Sequence, residues 1–392
     1  MSPKLHVLYF VHDLSDPAVR RRVIMLQAGG AQVTLAGFRR AATVVPGLEA
    51  MSPIDLGRTA DGKFAQRLVA VAKAALSLGA KLRTVRRPDV IIGRNLEMLA
   101  LAKRARALFS ANIPIVYECL DIHRLLLGQN GISRAMRGAE RVLGRNAVLL
   151  MTSSPAFVRD YFQRFRQIDA PVALLHNKVL ELAGEPSDVR RQVRAPQGGE
   201  PWTIGWFGAL RCRKSLELLA AFTHRMEGRF DVVLRGRPAY SEFPDFDGFV
   251  AGQPHMRFEG GYRNPEDLAD IYGEVHFSWA IDFFEEGLNS NWLLPNRLYE
   301  GCRHGTVPIA MRGTETGRFL AERHLGLLLD EASVASVMKL FDSFDAERYA
   351  ALRGRVLAED RGTWVCDARD CRALVERLRE LTAAPEPVMQ AA

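Results

Sequence analysis

The sequence predicts an α/β protein built from two domains, each with a parallel β-sheet covered by helices. Short apolar runs typical of buried strands alternate with helical patterns along the chain, as they do where crossover helices join parallel strands. A polar segment rich in Gly and Pro interrupts this alternation at 183–200 and is typical of a linker. With 392 residues, 48% of them hydrophobic, the chain is long enough for two cores.

The first domain is expected at 1–182. Apolar runs at 5–11 and 32–38 flank a helix in which Asp16 can cap the N-terminus and Pro17 can occupy the first turn, which completes a βαβ unit. Further strands of this domain are predicted at 90–92, 115–117, 148–151 and 172–175.

The second domain is expected at 201–360, where the alternation of strands and helices begins again. The segment 361–382 is expected to form a C-terminal helix that packs back on the first domain, and 383–392 to form a flexible tail. The strands of the second domain are predicted at 203–207, 231–234, 276–280, 307–310 and 327–329.

Composition and charge favour some classes of partner over others. The net charge of +8 and the pI near 9.4 favour an anionic partner, which could be a nucleotide, an acidic lipid surface or a nucleic acid. Nucleic acid is the weakest of these, because no basic platform with interleaved aromatic residues is present. No apolar run reaches the length of a membrane span and the N-terminus lacks the pattern of a signal peptide, so a cytosolic protein is predicted.

Cysteine spacing and short motifs argue against metal and dinucleotide cofactors. The five cysteines are scattered, without the pair spacing of metal sites. The turn 12–17 contains no glycine, whereas a dinucleotide-binding domain needs Gly-x-Gly-x-x-Gly after its first strand. No Asp-x-Asp metal motif lies near a predicted strand end. The sequence therefore predicts neither a bound metal nor a cofactor.

A short helix with polar residues at its start is the most informative part of the second domain. It is predicted to begin at Pro295 and to end at Gly305, because proline suits the first helical turn and glycine suits a left-handed exit. Glu300 lies four residues after Asn296 and three after Arg297, so these side chains share one face and can converge on a ligand. A solvated polar face would have the same spacing.

This helix resembles the nucleotide-sugar motif of GT-B glycosyltransferases of the family-4 type, in which a Pro-x-Lys/Arg-Leu-x-Glu helix binds the donor nucleotide. The resemblance implies a GT-B fold, with two Rossmann-like domains whose parallel sheets face a cleft. It assigns Glu300 to the ribose hydroxyls and the polar residues before it to the donor side. Many family members carry another glutamate eight positions earlier, where this chain has Trp292; Glu285 and Glu286 would need an insertion to reach that place.

The loop 206–215 of the second domain links a strand to a helix and contains several cations. Family members hold the donor diphosphate with an arginine and a lysine in this loop, and a glycine lets the backbone come close. The resemblance therefore assigns Gly208, Arg211 and Lys214 to donor binding, although Arg213 could replace either cation. Charge-assisted hydrogen bonds of this kind are among the strong ones in proteins. Cations of an ordinary surface are the alternative.

The first domain has a polar segment at the end of its first strand. The turn 12–17, followed by a helix and an apolar strand, is similar to an HDLxDPxVRRR-like turn of the same glycosyltransferases. The similarity implies that Asp13, Ser15 and Asp16 line the acceptor side, although Asp16 could serve only as the helix cap. Arg94, at the end of another strand, resembles the family's segment that faces the acceptor.

A carboxylate and a histidine follow the strand at 115–117. Asp121 lies two residues before His123 and could orient the imidazole or share a proton with it. His123 also falls where family members carry a functional histidine close to the transferring sugar, so the resemblance implies a catalytic role. A histidine satisfied by local hydrogen bonds is the alternative. Asn95, after the strand at 90–92, is predicted to cap a helix.

The segment 63–87 carries seven Lys or Arg residues and no acidic residue. At helical spacing its apolar and basic residues fall on different faces. This helix could lie on an anionic membrane leaflet, or it could cover the sheet with its basic face outward, and the sequence leaves both open. The apolar face is predicted to contain Phe64, Leu68, Val71, Ala75, Leu78 and Leu82, and the basic face Lys63, Arg67, Lys73 and Lys81.

In detail the chain looks most like bacterial exopolysaccharide enzymes, in particular succinoglycan-biosynthesis glucosyltransferases. This resemblance implies transfer of glucose from UDP-glucose to a lipid-linked oligosaccharide, without a metal, with retention of configuration, by an enzyme on the cytoplasmic face of the cell membrane. Two other functions remain open at this point. One is a sugar-nucleotide 2-epimerase of the same fold, and the other is a non-catalytic scaffold of a polysaccharide assembly complex.

Overall fold

The computed structural model describes residues 3–40, 48–59, 64–182 and 193–383. They form two compact units, the first made of Met1–Leu175 and Asp367–Ala392 and the second of His176–Cys366. Most of the expected linker, 183–192, and the tail from 384 onward lie outside the described residues.

The first unit contains a seven-stranded sheet in the order β3-β2-β1-β4-β5-β6-β7. All its strand pairs are parallel. Every residue of β1, β4 and β5 is buried, as expected for inner strands covered on both faces. The strands are β1 (His6–Val11), β2 (Gln32–Arg39), β3 (Ile54–Arg58), β4 (Val90–Arg94), β5 (Ile115–Cys119), β6 (Ala147–Thr152) and β7 (Val172–Leu174).

The helices of the first unit connect these strands. The first begins at Pro17 because Asp16 caps it, accepting a hydrogen bond from the Ala18 N–H at 2.8 Å, which confirms the predicted cap. A π-type helical segment, Phe157–Gln163, follows β6. The α-helices are α1 (Pro17–Ala28), α2 (Phe64–Lys81), α3 (Leu96–Phe109), α4 (Arg124–Leu127) and α5 (Gly131–Gly144).

The second unit contains a six-stranded parallel sheet in the order β11-β10-β9-β12-β13-β14 and a separate pair, β8 with β15. Its strands are β8 (Val179–Leu180), β9 (Trp202–Leu210), β10 (Phe230–Pro238), β11 (Met256–Phe258), β12 (Phe277–Trp279), β13 (Val307–Met311), β14 (Leu327–Leu329) and β15 (Val365–Cys366). Its α-helices are α6 (Arg213–Arg225), α7 (Phe246–Ala251), α8 (Leu268–Tyr272), α9 (Asn296–Arg303), α10 (Glu315–Glu322), α11 (Val334–Leu340), α12 (Ala346–Ala358) and α13 (Arg361–Trp364).

The unit boundaries differ from the expected domain limits. The N-terminal segment of the first unit ends at Leu175 rather than at 182. The residues that follow belong to the second unit, where β8 pairs with β15. The segment 361–382 is not one helix. It contains α13 and β15, which belong to the second unit because Trp364 is buried in that unit's core, and then α14 (Ala368–Ala383) of the first unit.

The C-terminal helix α14 packs closely on α1. A Cβ atom at Gly29 would lie 2.2 Å from the Cys371 carbonyl oxygen, so only glycine permits this approach. Cys371 and Leu378 are buried, and Arg377 donates a hydrogen bond to the Val172 carbonyl at 3.1 Å. The last helix of the chain is therefore part of the first unit.

In each sheet the strand order reverses at one inner strand, β1 in the first unit and β9 in the second. β1 lies between β2 and β4, and β9 lies between β10 and β12. Ligands of such open sheets bind outside the carboxyl ends of the strands at this reversal. The segments after β1 and β4 in the first unit, and after β9 and β12 in the second, are therefore where a site is expected in each unit.

The contact between β9 and β10 should depend on a glycine. Gly236 has φ +132°, and a Cβ there would lie 1.9 Å from the Gly208 carbonyl oxygen. We expect Gly236→Ala to destabilise the protein by at least about 2 kcal/mol, measured as a shift of the urea unfolding midpoint. Gly261→Ala is the matched control, because a Cβ at that position would have no atom of the described residues within 4 Å. Equal midpoints for the two variants would contradict the close approach.

Candidate active site

A buried carboxylate lies at the end of β5 in the first unit. Glu118 is fully buried and accepts hydrogen bonds from the Tyr9 hydroxyl and, at 2.6 Å, from Arg22 Nε; Arg94 Nη1 lies 4.0 Å away. Burial opposes the charge, but Arg22 and Arg94 outweigh it and hold the pKa of the Glu118 carboxyl below its usual range. The carboxylate is therefore ionised at neutral pH and anchors two arginines.

Arg94 connects this carboxylate to the turn after β1. Its side chain is 5% exposed, and it donates hydrogen bonds to the Asp16 carboxylate at 3.1 Å and to the Tyr9 hydroxyl at 3.3 Å. Asp16 is thus a helix cap and also a partner of Arg94. Asp13 accepts hydrogen bonds from the Ser15 N–H at 2.8 Å and the Ser15 hydroxyl at 2.6 Å. The structure brings together all four residues predicted for the acceptor side.

Two further residues belong to this cluster, His12, which was missed from the sequence, and Asn95, which was predicted only as a helix cap. His12 Nδ1 and Asn95 Nδ2 lie 3.4 Å apart. Burial and the nearby Arg94 and Arg40 lower the pKa of His12 to about 3, so the ring is neutral at physiological pH. Asn95 has φ +69°, a conformation that is uncommon outside glycine and recurs at functional sites.

The predicted cap at Asn95 is only partly correct. Asn95 occupies the N-cap position of α3, but its side chain makes no capping hydrogen bond there. Its backbone N–H donates instead to the Glu118 carbonyl at 2.8 Å, and its amide lies beside His12. An asparagine after a strand is a usual helix cap, and nothing in the sequence alone distinguishes this use from the observed one.

The predicted catalytic pair lies in the segment between β5 and α4. His123 caps α4, its Nδ1 accepting a hydrogen bond from the Leu125 N–H at 3.2 Å. Burial and the nearby Arg67 lower its pKa, which keeps the ring neutral at pH 7. The Asp121 side chain is exposed. The local hydrogen bond proposed as the alternative is present, and the catalytic role of both residues remains a prediction.

In the second unit, a glycine near the end of β9 has a positive φ. Gly208 has φ +106°, a conformation that favours glycine. It lies directly opposite Gly236 of β10 in the parallel register. This half-buried position, two residues before the end of β9, therefore carries no side chain and lies close in sequence to the two cations that follow the strand.

Both predicted diphosphate-binding cations contact the segment after β12. Arg211 Nη2 lies 3.2 Å from the Asp282 carboxylate, and Lys214 Nζ lies 2.6 Å from that of Glu286. Two aromatic rings of the same segment cover these cations, Phe284 at 4.7 Å from Arg211 and Phe283 at 4.6 Å from Lys214.

Arg213 points elsewhere. It is exposed and pairs with Glu217 of its own helix at 2.6 Å. This arrangement makes Arg213 a surface cation and favours Arg211 and Lys214 over it. The acidic and aromatic partners at 282–286 were not predicted to contact these cations, because the sequence does not show which side of the sheet edge the segment covers.

The helix α9 places Glu300 in a buried position. Glu300 is 5% exposed and accepts hydrogen bonds from Asn264 Nδ2 at 2.7 Å and from the Tyr272 hydroxyl at 3.2 Å. Arg297 lies near Asp282, whereas Asn296 at the helix start is exposed. The solvated polar face considered from the spacing is therefore not observed. Pro295 is the N-cap of α9, and Gly305 has the expected positive φ of +76°.

A cavity of about 240 Å³ opens between the segments after β12 and β13. Its polar lining comes from both segments, and the cation partners Asp282 and Glu286 belong to it. In the described part of the chain, no group of three or more His, Cys, Asp or Glu side chains could hold a metal ion. Other polar lining residues are Ser290, Asn291, Arg312, Thr314 and Thr316.

The helix α2 departs from the predicted arrangement. Arg67 Nε lies 2.8 Å from Glu97, and Lys81 donates a hydrogen bond to the Asp55 carbonyl, so neighbouring elements hold two of the basic residues expected to face outward. Lys63 and the side chain of Phe64 lie outside the described part of the chain.

The outward side of α2 is largely apolar. Leu68, predicted on the apolar face, is 48% exposed, and Val69 and Leu76 are 55% and 86% exposed. The exposed Lys73 is the remaining member of the expected basic face. The predicted apolar face is therefore not a single surface, because Leu78 is buried together with Ala74 whereas Leu68 is exposed.

Comparison with known proteins identifies the fold. Sucrose-phosphate synthase from Thermosynechococcus elongatus superimposes with a TM-score of 0.68 at 14% identity, covering 97% of this chain and 100% of that one. Anabaena HepE in complex with UDP superimposes with a TM-score of 0.67 at 14% identity, covering 96% and 100%. Two units with parallel sheets and this likeness define a GT-B fold, as the sequence predicts.

A sequence relative then shows the family. Succinoglycan biosynthesis protein ExoL of Rhizobium meliloti (strain 1021) is 59% identical over 389 residues, which is 98% of this chain and 96% of that protein. The chain belongs to the family of this succinoglycan biosynthesis protein. No protein-family model matches it.

The buried charge of Glu118 should contribute strongly to stability. Glu118→Gln leaves Arg22 and Arg94 without their common carboxylate, and we expect a loss of about 3–5 kcal/mol at pH 7 in urea unfolding. Because the folded pKa is lowered, this contribution is present above the ordinary carboxyl pKa and is lost as the pH falls through the folded value. The difference from wild type should therefore shrink in acid.

Glu49→Gln is the control for this substitution, because Glu49 is an exposed glutamate of the first unit, in the short helical turn Glu49–Met51. Glu49→Gln should leave the unfolding midpoint unchanged both at pH 7 and in acid. A loss for Glu118→Gln that does not shrink in acid would show that the hydrogen-bond acceptors of the side chain, rather than its charge, matter at this position.

Proposed function

We propose that the protein is a glycosyltransferase of succinoglycan biosynthesis that moves glucose from UDP-glucose to a lipid-linked oligosaccharide. The support for the pathway is the 59% identity to ExoL over nearly the full length. The support for a nucleotide sugar is the GT-B fold, since HepE of that fold has been solved with UDP and with UDP-glucose. The net charge of +8 suits anionic ligands of this kind.

The observation that carries this proposal is the position of Glu300 beside a cluster of cations. Its buried carboxylate accepts hydrogen bonds from Asn264 and Tyr272, which fix its direction, and a carboxylate directed in this way can bind the two hydroxyls of a ribose. Arg297 is one turn earlier on α9, and Arg211 reaches the same region from the end of β9. A carboxylate for the ribose next to cations for the diphosphate matches the donor nucleotide.

The proposed chemistry requires neither a metal nor a cofactor. Negative charge builds on the diphosphate as the glycosidic bond breaks, and Arg211 and Lys214 would offset it. The missing side chain at Gly208 would let a phosphate approach the backbone there. His123, neutral at pH 7, and Asp121 would act near the transferring sugar, and configuration would be retained. Asp13, Ser15, Asp16 and Arg94 would bind acceptor hydroxyls from the first unit.

Binding of UDP tests the nucleotide site. Glu300→Ala should weaken UDP binding by about 1.5–3 kcal/mol, because two charge-assisted hydrogen bonds to the ribose are lost, and calorimetry measures this directly. Glu322→Ala, an exposed glutamate on α10, is the matched control and should bind UDP normally. Unchanged affinity of folded Glu300→Ala would remove Glu300 from the site.

UDP binding by the wild type, followed by a turnover assay with and without acceptor, separates the other functions that the sequence leaves open. A scaffold protein predicts that wild-type protein does not bind UDP. An epimerase predicts turnover of the sugar nucleotide without acceptor, whereas a transferase releases UDP only when acceptor is present.

We also propose that the first unit attaches reversibly to an anionic membrane surface. The exposed apolar residues of α2 are accompanied by Leu108 on α3 and by Ile132 and Val142 on α5, and α3 packs against both other helices. Exposed Lys73, Arg104 and Arg134 lie on the same three helices. Apolar and basic side chains together are typical of helices that lie in a lipid interface. In the described part of the chain, no helix is long and apolar enough to cross a bilayer.

Flotation with liposomes tests this attachment. The double variant Leu68→Ser/Leu76→Ser should reduce binding to anionic liposomes by at least about tenfold, because two exposed leucines no longer enter the interface. Raised salt should weaken binding of the wild type by screening the basic residues. Tyr240→Ser, which removes an exposed aromatic residue of the second unit, should bind as wild type does. Failure of the wild type to bind anionic liposomes would refute the proposal.

A further inference from the structure

The side chain of Asp282 is fixed within the segment that follows β12. It is 4% exposed. Its Oδ1 accepts hydrogen bonds from the Phe284 N–H at 2.8 Å and from the Ser290 hydroxyl at 3.4 Å. Because the loop itself holds this oxygen, the direction of the other oxygen, Oδ2, is determined before any ligand binds.

Two arginines from different elements meet at that second oxygen. Arg211 Nη2, after β9, lies 3.2 Å from Asp282 Oδ2, and Arg297 Nη2, on α9, lies 3.8 Å from it. Two guanidinium groups this close to one point repel each other unless an anion lies between them. Burial disfavours the charged carboxylate, but Arg297 and Arg211 outweigh it and lower the pKa of Asp282, so that it is ionised at neutral pH.

The three side chains together carry a net charge of +1 and have donors to spare. Arg297 is 11% exposed, and its buried Nη1 has no hydrogen-bond partner among the described residues. Arg211 is 38% exposed, so part of its guanidinium group also remains open to a ligand. Buried donors are usually satisfied in native proteins. The unsatisfied donor and the excess positive charge therefore point to an anionic ligand at this place.

We propose that Asp282 is a positioning residue that holds Arg211 and Arg297 side by side so that both guanidinium groups bind the diphosphate of the donor. This role rests on the proposed function, because it presupposes a nucleoside diphosphate in the second unit. Asp282 does not touch the donor itself. It sets the spacing and direction of the two cations in advance, so that less of the binding free energy is spent on ordering them.

Binding of UDP and of uridine distinguishes this role from a structural one. Asp282→Asn keeps the shape of the side chain but removes the charge that holds the two arginines together. We expect the Kd of UDP to rise about tenfold or more, and the Kd of uridine, which lacks phosphate, to stay within about twofold. Asp282→Glu keeps the charge and should recover part of the UDP affinity. Isothermal calorimetry with each ligand measures both constants.

Asp342→Asn is the matched control, since it removes an exposed carboxylate of the same unit that does not line the cavity beside Asp282. It should change neither constant. If Asp282→Asn does not fold, Asp282→Glu and Arg297→Gln provide the same comparison, because displacing or removing either partner should weaken UDP and spare uridine. Activity adds a second measurement: the KM for UDP-glucose should rise in Asp282→Asn together with the Kd of UDP.

The outcomes separate this inference from the proposed function. Wild-type protein that binds neither UDP nor uridine would overturn the proposed function. Wild-type binding of UDP with unchanged affinity in Asp282→Asn would overturn only the positioning role. Equal losses for UDP and uridine would show a structural role, and tighter UDP binding by Asp282→Asn would show that Asp282 competes with the diphosphate. Both results would also overturn the inference.

Discussion

In each unit, one buried carboxylate at the end of an inner strand holds two arginines from other segments. Removing charges from water costs several kcal/mol per ion, which close and well-directed partners must offset. The pairs are therefore possible only because neighbouring strands bring distant segments to one edge of each sheet. These groups are Glu118 with Arg22 and Arg94 in the first unit, and Asp282 with Arg211 and Arg297 in the second.

The two groups differ in what they leave available. In the first unit, Arg94 is also occupied by Asp16 and Tyr9, so its charge is largely used within the protein. In the second unit, Arg211 and Arg297 share a single carboxylate, so these three side chains keep a net charge of +1. Among the described residues, a buried guanidinium nitrogen lacks a hydrogen-bond partner in both groups, Arg94 Nε in the first unit and Arg297 Nη1 in the second. The same arrangement of charges therefore stabilises a rigid scaffold at one sheet edge and leaves excess positive charge at the other.

The fold was predictable because the spacing of apolar residues and the residues at helix ends follow from local backbone geometry. Asp16 followed by Pro17 indicated the start of α1, and buried apolar runs indicated the inner strands. Contacts between distant segments were not predictable in this way. The orientation of α2 was left open, and Leu68 and Leu78 were placed on one face because both are apolar; only packing against α3 and β3 decides which of them is covered. The partners of Arg211 were missed for the same reason.

The position of α14 has a consequence for how the protein is made. Synthesis proceeds from the N-terminus, so the ribosome releases the whole second unit, His176–Cys366, before the helix that completes the first. Until α14 is made, the surface of α1 at Gly29 and the sheet edge at Val172 lack the contacts that this helix provides. The nascent first unit must therefore persist incomplete, and a chain cut short at its C-terminal end would damage the part of the protein that was made first.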